Sequence, residues 1–209
     1  FMNGVHGIKV TDCAFRNQAP GLFQPNAIGR GIFAFGSGFK VQGDDEPTSS
    51  AFENLYLGIV SYPGPFETYT VDRMHFLNNM WGIYDLASTA TQVSRNTFLV
   101  PDQGDFPKPT LGLLLQQSNN YTVEENTYFG YTADRSVGIY FLGPQMAENR
   151  IYNNTFTQLL AGTLVYGRHK GNTPGFEYNG LQLLCGDYLA NTMDWGLLNG
   201  TYIKQDQGA

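Results

Sequence analysis

Three adjacent carboxylates, Asp44, Asp45 and Glu46, are the residues of this sequence with the clearest capacity for acid–base or metal chemistry. Glycoside hydrolysis needs two carboxylates at a defined separation, and calcium prefers carboxylate oxygens. The three residues lie in GDDEPTSS, whose Gly, Pro and Ser content favours a solvated acidic loop. A catalytic pair formed by Asp44 and Asp45, and a surface calcium site formed by all three carboxylates, are the alternatives.

Aromatic side chains in the predicted loops form a second candidate site. Phe66, Tyr69 and Phe106 lie in or beside the segments SYPGPFET and VPDQGDFPKPT. Exposed aromatic rings next to polar groups can stack on sugar rings, so these three residues are candidates for glycan contact. The alternative is that the rings fold back and cover the body of the protein. No His lies at a spacing from Ser or Cys that indicates a nucleophilic triad.

The composition limits the class of function. Only 14% of the 209 residues are charged, and the formal net charge is −6. Nucleic-acid binding needs clustered Lys and Arg, whereas the 12 such residues here are scattered, so the composition argues against that class. No apolar run reaches the roughly 20 residues of a membrane helix. With 25 Gly, 13 Tyr and 15 Phe, the sequence indicates a turn-rich β protein.

A repeated phrase indicates how these residues are positioned. It consists of an aliphatic residue, two variable positions, a short or polar residue, one more position, and then Phe or Tyr. Its copies are VTDCAF (10–15), AFENLY (51–56), VDRMHF (71–76), VSRNTF (93–98), VEENTY (123–128), IYNNTF (151–156) and LLCGDY (183–188). A second phrase, Gly followed by an apolar residue, interleaves with the first, and its successive copies lie 18 to 30 residues apart.

This spacing predicts an all-β fold, a right-handed parallel β-helix (β-solenoid) of about eight coils with very little helix. Asn favours turns and left-handed backbone, so we expect the strand to bend at the short polar slot. If the coils are in register, the asparagines of that slot form a hydrogen-bonded ladder, and the aromatic residue two positions later stacks inside. The predicted ladder consists of Asn54, Asn96, Asn126 and Asn154.

The domain organisation follows from the same repeats. Residues 1–209 are expected to form a single β-helix domain that is a fragment of a longer chain, with residues 189–209 as a C-terminal capping segment. Cys13 and Cys185 show no metal-site spacing and are predicted to be buried small apolar side chains.

The repeats also carry a resemblance to a known family. The stretches TVDRMHFLNNMWGIYDL, LGLLLQQSNNYTVEENTYFG, NRIYNNTFTQLLAGTLVYG and GLQLLCGDYLANTMDW resemble the parallel β-helix regions of large secreted proteins of Bacteroidota-type bacteria. Those regions are similar in fold to the pectin-lyase-like superfamily. The resemblance implies export by the type IX route and display at the cell surface or release from it. Enzymes of the superfamily use an Arg or Lys base with Asp-bound calcium, or clustered Asp residues.

We therefore expect a non-enzymatic β-helix scaffold of a secreted or surface-displayed bacterial protein, presenting loops for adhesion or glycan contact. One alternative is a polysaccharide lyase or glycoside hydrolase of the pectin-lyase-like superfamily. Another is a structural spacer or passenger recognised by the secretion machinery. The expected partners are other domains of the same longer chain, a polysaccharide, or secretion machinery; calcium is the only cofactor that the sequence suggests.

Overall fold

Short strands joined by tight corners make up most of the described chain. The computed structural model describes residues 1–18, 29–64, 67–102, 109–143, 147–170, 179–198 and 200–203. Within these ranges it contains strands, turns and bends but no helix. The predicted all-β class is therefore confirmed.

The strands form three long parallel sheets, numbered here in chain order. The first sheet contains β1 (Met2–Asn3), β4 (Arg30–Phe35), β7 (Leu57–Tyr62), β10 (Trp81–Leu86), β13 (Thr110–Gln116), β16 (Ser136–Leu142), β19 (Ala161–Tyr166) and β23 (Met193–Leu197). The second contains β2 (Ile8–Thr11), β5 (Phe39–Gln42), β8 (Tyr69–Asp72), β11 (Gln92–Ser94), β14 (Thr122–Glu124), β17 (Asn149–Tyr152) and β21 (Leu181–Leu184). The third contains β3 (Phe15–Arg16), β6 (Ala51–Glu53), β9 (His75–Leu77), β12 (Thr97–Val100), β15 (Thr127–Gly130), β18 (Thr155–Thr157) and β22 (Asp187–Leu189). A small separate sheet pairs β20 (Arg168–His169) with β24 (Tyr202–Ile203).

Each coil of the chain crosses the first, second and third sheets in that order, and the next coil stacks on it in parallel register. This is a β-solenoid, as the repeats predict. The predicted count of eight coils is slightly too high. The second and third sheets contain seven strands each, separated by six turns, and only the first sheet has an eighth strand.

A continuous column of aromatic rings fills one side of the core. The inward residue of each third-sheet strand stacks on its equivalents, and neighbouring ring centroids are 4.6 to 5.0 Å apart. Burying one such ring contributes roughly 1.5–3 kcal/mol, so the column is a major stabilising element. Its members are Phe15, Phe52, Phe76, Phe98, Tyr128, Phe156 and Tyr188.

The glycines of the second repeated phrase make room for this column. A Cβ on Gly112 would lie 2.7 Å from the Tyr128 ring and 2.7 Å from the carbonyl oxygen of Gly138. Real Cβ atoms do not approach other atoms this closely, so only glycine allows the first sheet to pack directly against the rings. The first repeated phrase thus supplies the inward ring, and the second supplies the glycine that packs against it.

An asparagine stack closes the corner between the second and third sheets. The Asn126 side-chain oxygen accepts hydrogen bonds from the Asn96 side-chain amide and backbone N–H, both at 2.9 Å. The Asn126 amide in turn donates to the Asn154 oxygen at 3.0 Å. All three side chains are buried, so the stack satisfies corner backbone groups that water cannot reach. The residues before the asparagines, Arg95 and Glu125, take the left-handed backbone (φ 55° and 57°), which corrects the expectation that the Asn itself does so.

Asn54 is not part of this stack. The repeated phrase predicts that Tyr56 is the inward ring of this coil, but the residue that pairs with Phe76 on the neighbouring strand is Phe52. Asn54 therefore follows the third-sheet strand β6 and lies at the next corner, between the third and first sheets. Its side-chain amide points to the Asn17 carbonyl oxygen at 3.5 Å. AFENLY matches the repeated phrase by chance, because the true copy is interrupted by the acidic segment between Gly43 and Ser50.

The two cysteines also differ from the prediction. Cys13 and Cys185 are both free and exposed. They follow β2 and β21, the terminal strands of the second sheet, where only one neighbouring strand can cover them.

Candidate functional site

The outer face of the first sheet is apolar along most of its length. Its shape depends on the glycines: in β10, Trp81 and Tyr84 face outward, while Gly82 and Ile83 both face the core. Because two successive residues face the core, the usual alternation of inward and outward side chains is displaced by one residue. Bulky side chains then occupy two outward positions on the strand, those of Trp81 and Tyr84. The central column, in register from strand to strand, is Phe33, Val60, Tyr84, Leu114, Tyr140 and Leu164.

The N-terminal half of this outer face is a chain of aromatic rings. Phe33 lies 5.7 Å from Tyr62, Tyr62 lies 5.8 Å from Tyr84, and Tyr84 lies 5.6 Å from Trp81, measured between ring centroids. The Tyr84 hydroxyl donates a hydrogen bond to the side-chain oxygen of Gln116 at 2.8 Å. Partial burial is the main cause that raises the pKa of Tyr84, and the neighbouring Tyr62 adds to it. The Tyr84 hydroxyl therefore remains a donor at any physiological pH.

The C-terminal half of the outer face contains a shallow groove. Its volume is about 490 Å³, and Tyr140, Leu142, Tyr166, Leu197 and Leu198 line it. Tyr166 is 44% exposed, whereas Tyr140 is half-buried. Burial raises the pKa of Tyr140, so this hydroxyl also stays protonated. The groove therefore offers two aromatic rings with polar ends on an aliphatic floor.

This outer face is almost uncharged. In the strands of the first sheet, Arg30 and Asp194 are the exposed charged residues. The Arg30 guanidinium lies over the Phe33 ring, 5.3 Å from its centroid. The outer face of the second sheet differs, because Lys9, Lys40 and Arg150 occupy one outward column there. The first sheet thus fits an uncharged ligand with flat apolar surfaces better than a charged one.

The acidic residues of the sequence lie elsewhere. Asp44 and Asp45 belong to the corner between the second and third sheets, away from the first sheet. The Asp44 carboxylate accepts hydrogen bonds from the hydroxyls of Ser50 and Ser49 and from the Glu46 N–H, which lowers its pKa to about 2. A carboxylate with its lone pairs occupied in this way is a weak proton acceptor at neutral pH.

The acidic segment also contacts the third sheet through the backbone of Asp45. The Asp45 backbone oxygen is 2.9 Å from His75 Nε2, which ties the segment to the third sheet. In the described part of the chain, no group of three or more His, Cys, Asp or Glu side chains is placed to hold a metal ion. The contacts of the Asp44 carboxylate and of the Asp45 backbone oxygen thus hold the acidic segment together and against the third sheet.

Of the three aromatic residues predicted to contact a glycan, only Tyr69 lies within the described residues. Phe66 and Phe106 lie outside the described residues. Tyr69 is in β8 with 1% of its surface exposed, and its ring stacks on Phe39 with centroids 5.0 Å apart. In this position Tyr69 faces the core and has no surface to offer a sugar ring.

Sequence reasoning missed the outer aromatic face itself. Its signal is the recurrence of a Tyr two positions after the repeated Gly, as in WGIYDL and VGIYFL. Reading these segments as simple alternation places Tyr84 and Tyr140 on the same face as the Gly, which is the core. The shift caused by two successive inward residues reverses that assignment.

Comparisons with known proteins identify no relative. No protein family matches the chain. No curated protein matches it, and no solved structure does so. The described residues contain no helix that is long and apolar enough to cross a membrane. What is established is thus a parallel β-solenoid scaffold, with the outer face of the first sheet as its candidate site.

Proposed function

We propose that this protein is a rigid, non-enzymatic β-helix scaffold that binds an uncharged polysaccharide along the outer face of its first sheet. The observation that carries the proposal is the continuous row of outward aromatic and aliphatic side chains. Eight strands spaced about 4.8 Å apart make this face roughly 35 Å long. In the central column Val60 and Leu114 are buried and the other side chains are half-buried, so the open part of the face is the groove lined by Tyr166, Leu197 and Leu198. An apolar groove on an exposed face is typical of a binding site.

Polysaccharide fits this surface better than a protein partner does. Four tyrosines lie along the face, Tyr62, Tyr84, Tyr140 and Tyr166. Their rings can stack on a sugar while their hydroxyls bond to its polar edge. Tyr140 remains protonated and can donate such a bond, whereas the Tyr84 hydroxyl, which donates to Gln116, can accept one. The scarcity of charge on the face favours a neutral glycan over a polyuronate. An extended chain lying along the rod would contact successive coils in the same way, because the coils repeat.

A non-enzymatic role is favoured by the positions of the carboxylates. Glycoside hydrolysis needs two carboxyl groups on either side of one bond. On the first sheet, Asp85 is buried in the core and Asp194 lies in the last strand. Location on or outside a bacterial cell, export by the type IX route and attachment to further domains remain part of the proposal, and they rest on the resemblance of the repeats.

A binding and cleavage screen tests the proposal. Purified protein is mixed with insoluble cellulose, chitin and mannan and with soluble xylan, pectate and alginate, and both retention and new reducing ends are measured. We expect retention on at least one neutral polysaccharide without new chain ends. Tyr140→Ala should weaken retention about tenfold, whereas Tyr152→Ala, on the outer face of the second sheet, should leave it unchanged.

Two outcomes would contradict the proposal. Equal retention of Tyr140→Ala and the parent would remove the outer face as the site. New chain ends that disappear in Asp44→Ala or Asp45→Ala would make the protein an enzyme. Melting temperatures of all variants, measured in parallel, show that each remains folded.

A further inference from the structure

A buried carboxyl group lies inside the solenoid, away from the outer face. Asp85 occupies an inward position of β10, between Ser61 of β7 and Leu115 of β13, and has no exposed surface. The surrounding core is otherwise aliphatic and aromatic. A charge in such a place is unfavourable unless a partner of opposite sign accompanies it.

Hydroxyl groups surround this carboxyl group, and none of them carries a charge. The Ser88 hydroxyl donates to Asp85 Oδ2, and the Thr91 hydroxyl donates to Ser88 Oγ at 2.8 Å. The Ser118 hydroxyl is close enough to affect the Asp85 carboxyl as well. These residues are all buried, so bulk water does not reach them.

Three oxygen atoms in this cluster have no hydrogen-bond partner. They are Ser61 Oγ, Tyr69 Oη and Asp85 Oδ1, each with less than 1 Å² of exposed surface. Register places Ser61 directly beside Asp85 on the neighbouring strand, with both side chains inward. Burial, and then the charge of the nearby Asp85 carboxylate, raise the pKa of the Tyr69 hydroxyl. Buried oxygens without a partner that lie close to one carboxylate are a suitable set of ligands for a cation or a water.

We propose that an alkali-metal cation, with sodium the best fit, binds inside the solenoid between Asp85, Ser61 and Tyr69. One carboxylate supplies one negative charge, and the other ligands are neutral hydroxyl oxygens. This set matches a hard monovalent cation, since calcium sites recruit several carboxylates and transition metals prefer nitrogen or sulfur. The cation would neutralise Asp85 and satisfy all three unpaired oxygens at once.

The test compares thermal unfolding of the intact protein in sodium chloride and in choline chloride at equal ionic strength. The pH is set at least one unit above the Asp85 pKa of about 7, so that proton binding does not compete. A ligand that binds only the folded state raises the melting temperature with its concentration. We expect a rise in sodium or potassium that choline does not reproduce. Line broadening of the sodium-23 NMR signal by the folded protein gives an independent readout.

Variants separate this site from general salt effects. Asp85→Asn should abolish both the cation-specific rise and the line broadening, whereas Asp45→Asn, at an exposed corner, should keep them. Ser61→Ala, which removes one ligand and keeps the carboxylate, should raise the sodium concentration for half-maximal stabilisation about tenfold. Identical melting curves in sodium, potassium and choline, with no line broadening, would overturn the proposal and leave water in the cluster.

Discussion

Replacing Asp85 by Asn should remove a specific part of the protein's pH dependence. Burial raises the pKa of the Asp85 carboxyl from 3.8 to about 7, and the nearby hydroxyl groups of Ser88, Ser118, Tyr69 and Thr91 offset the shift only in part. No cationic side chain contributes to the shift. Asn has nearly the same shape as Asp, and it can still accept the Ser88 hydrogen bond, but it does not titrate.

The size and sign of the effect follow from the two pKa values. Between pH 3.8 and about 7 the folded protein keeps the Asp85 proton, whereas the unfolded chain has lost it. The free energy of unfolding therefore falls as the pH rises through this window. The contribution of the protonated Asp85 to the free energy of unfolding is complete below pH 3.8 and is lost above about pH 7. A shift of about three pKa units at about 1.36 kcal/mol each corresponds to about 4 kcal/mol.

Urea denaturation at a series of pH values from about 4 to about 8 measures this difference. Choline buffers are used, because the proposed sodium site would offset the loss at high pH. Asp44, whose pKa is lowered to about 2, titrates below this range and does not interfere. We expect the parent to lose about 4 kcal/mol relative to Asp85→Asn across the window. Parallel curves for the two proteins would refute the reasoning, since Asp85 would then have the same pKa in both states.

Two further substitutions test the packing of the core by urea denaturation. Asn126→Ala leaves the buried Asn96 N–H without its acceptor and breaks both hydrogen-bonded links of the stack. It should therefore lower the free energy of unfolding by about 3 kcal/mol. A loss below about 1 kcal/mol would mean that the stack is not stabilising. Tyr128→Phe removes a buried hydroxyl that has no partner, between Phe98 and Phe156 in the ring column, and should leave stability unchanged or raise it by about 1 kcal/mol. A marked loss in Tyr128→Phe would show that the hydroxyl is satisfied.

The repeated phrases were sufficient to predict the solenoid. The coils share local rules: an inward aliphatic residue, a corner position that asparagine occupies in three of them, an inward ring, and a glycine opposite that ring. Such rules act over a few residues, so they can be read from the sequence without knowledge of distant contacts. The stack of Asn96, Asn126 and Asn154 was predicted in this way, because the repeated phrase is uninterrupted in those three coils.

The candidate sites depended on contacts between coils, which local patterns do not encode. An insertion shifted the register at Asn54, and no repeat motif shows which copy is displaced. The outward direction of Tyr84 follows from the ring of Phe98, which holds Gly82 at the core and moves the alternation by one residue.

The burial of Asp85 was equally invisible, because the tetrapeptide IYDL does not show whether its acid faces water or the core. The sequence by itself thus determined the coil and its internal repeats, since these are set by neighbours along the chain. Only the tertiary structure decided which side chains share a face, since that depends on how successive coils are aligned.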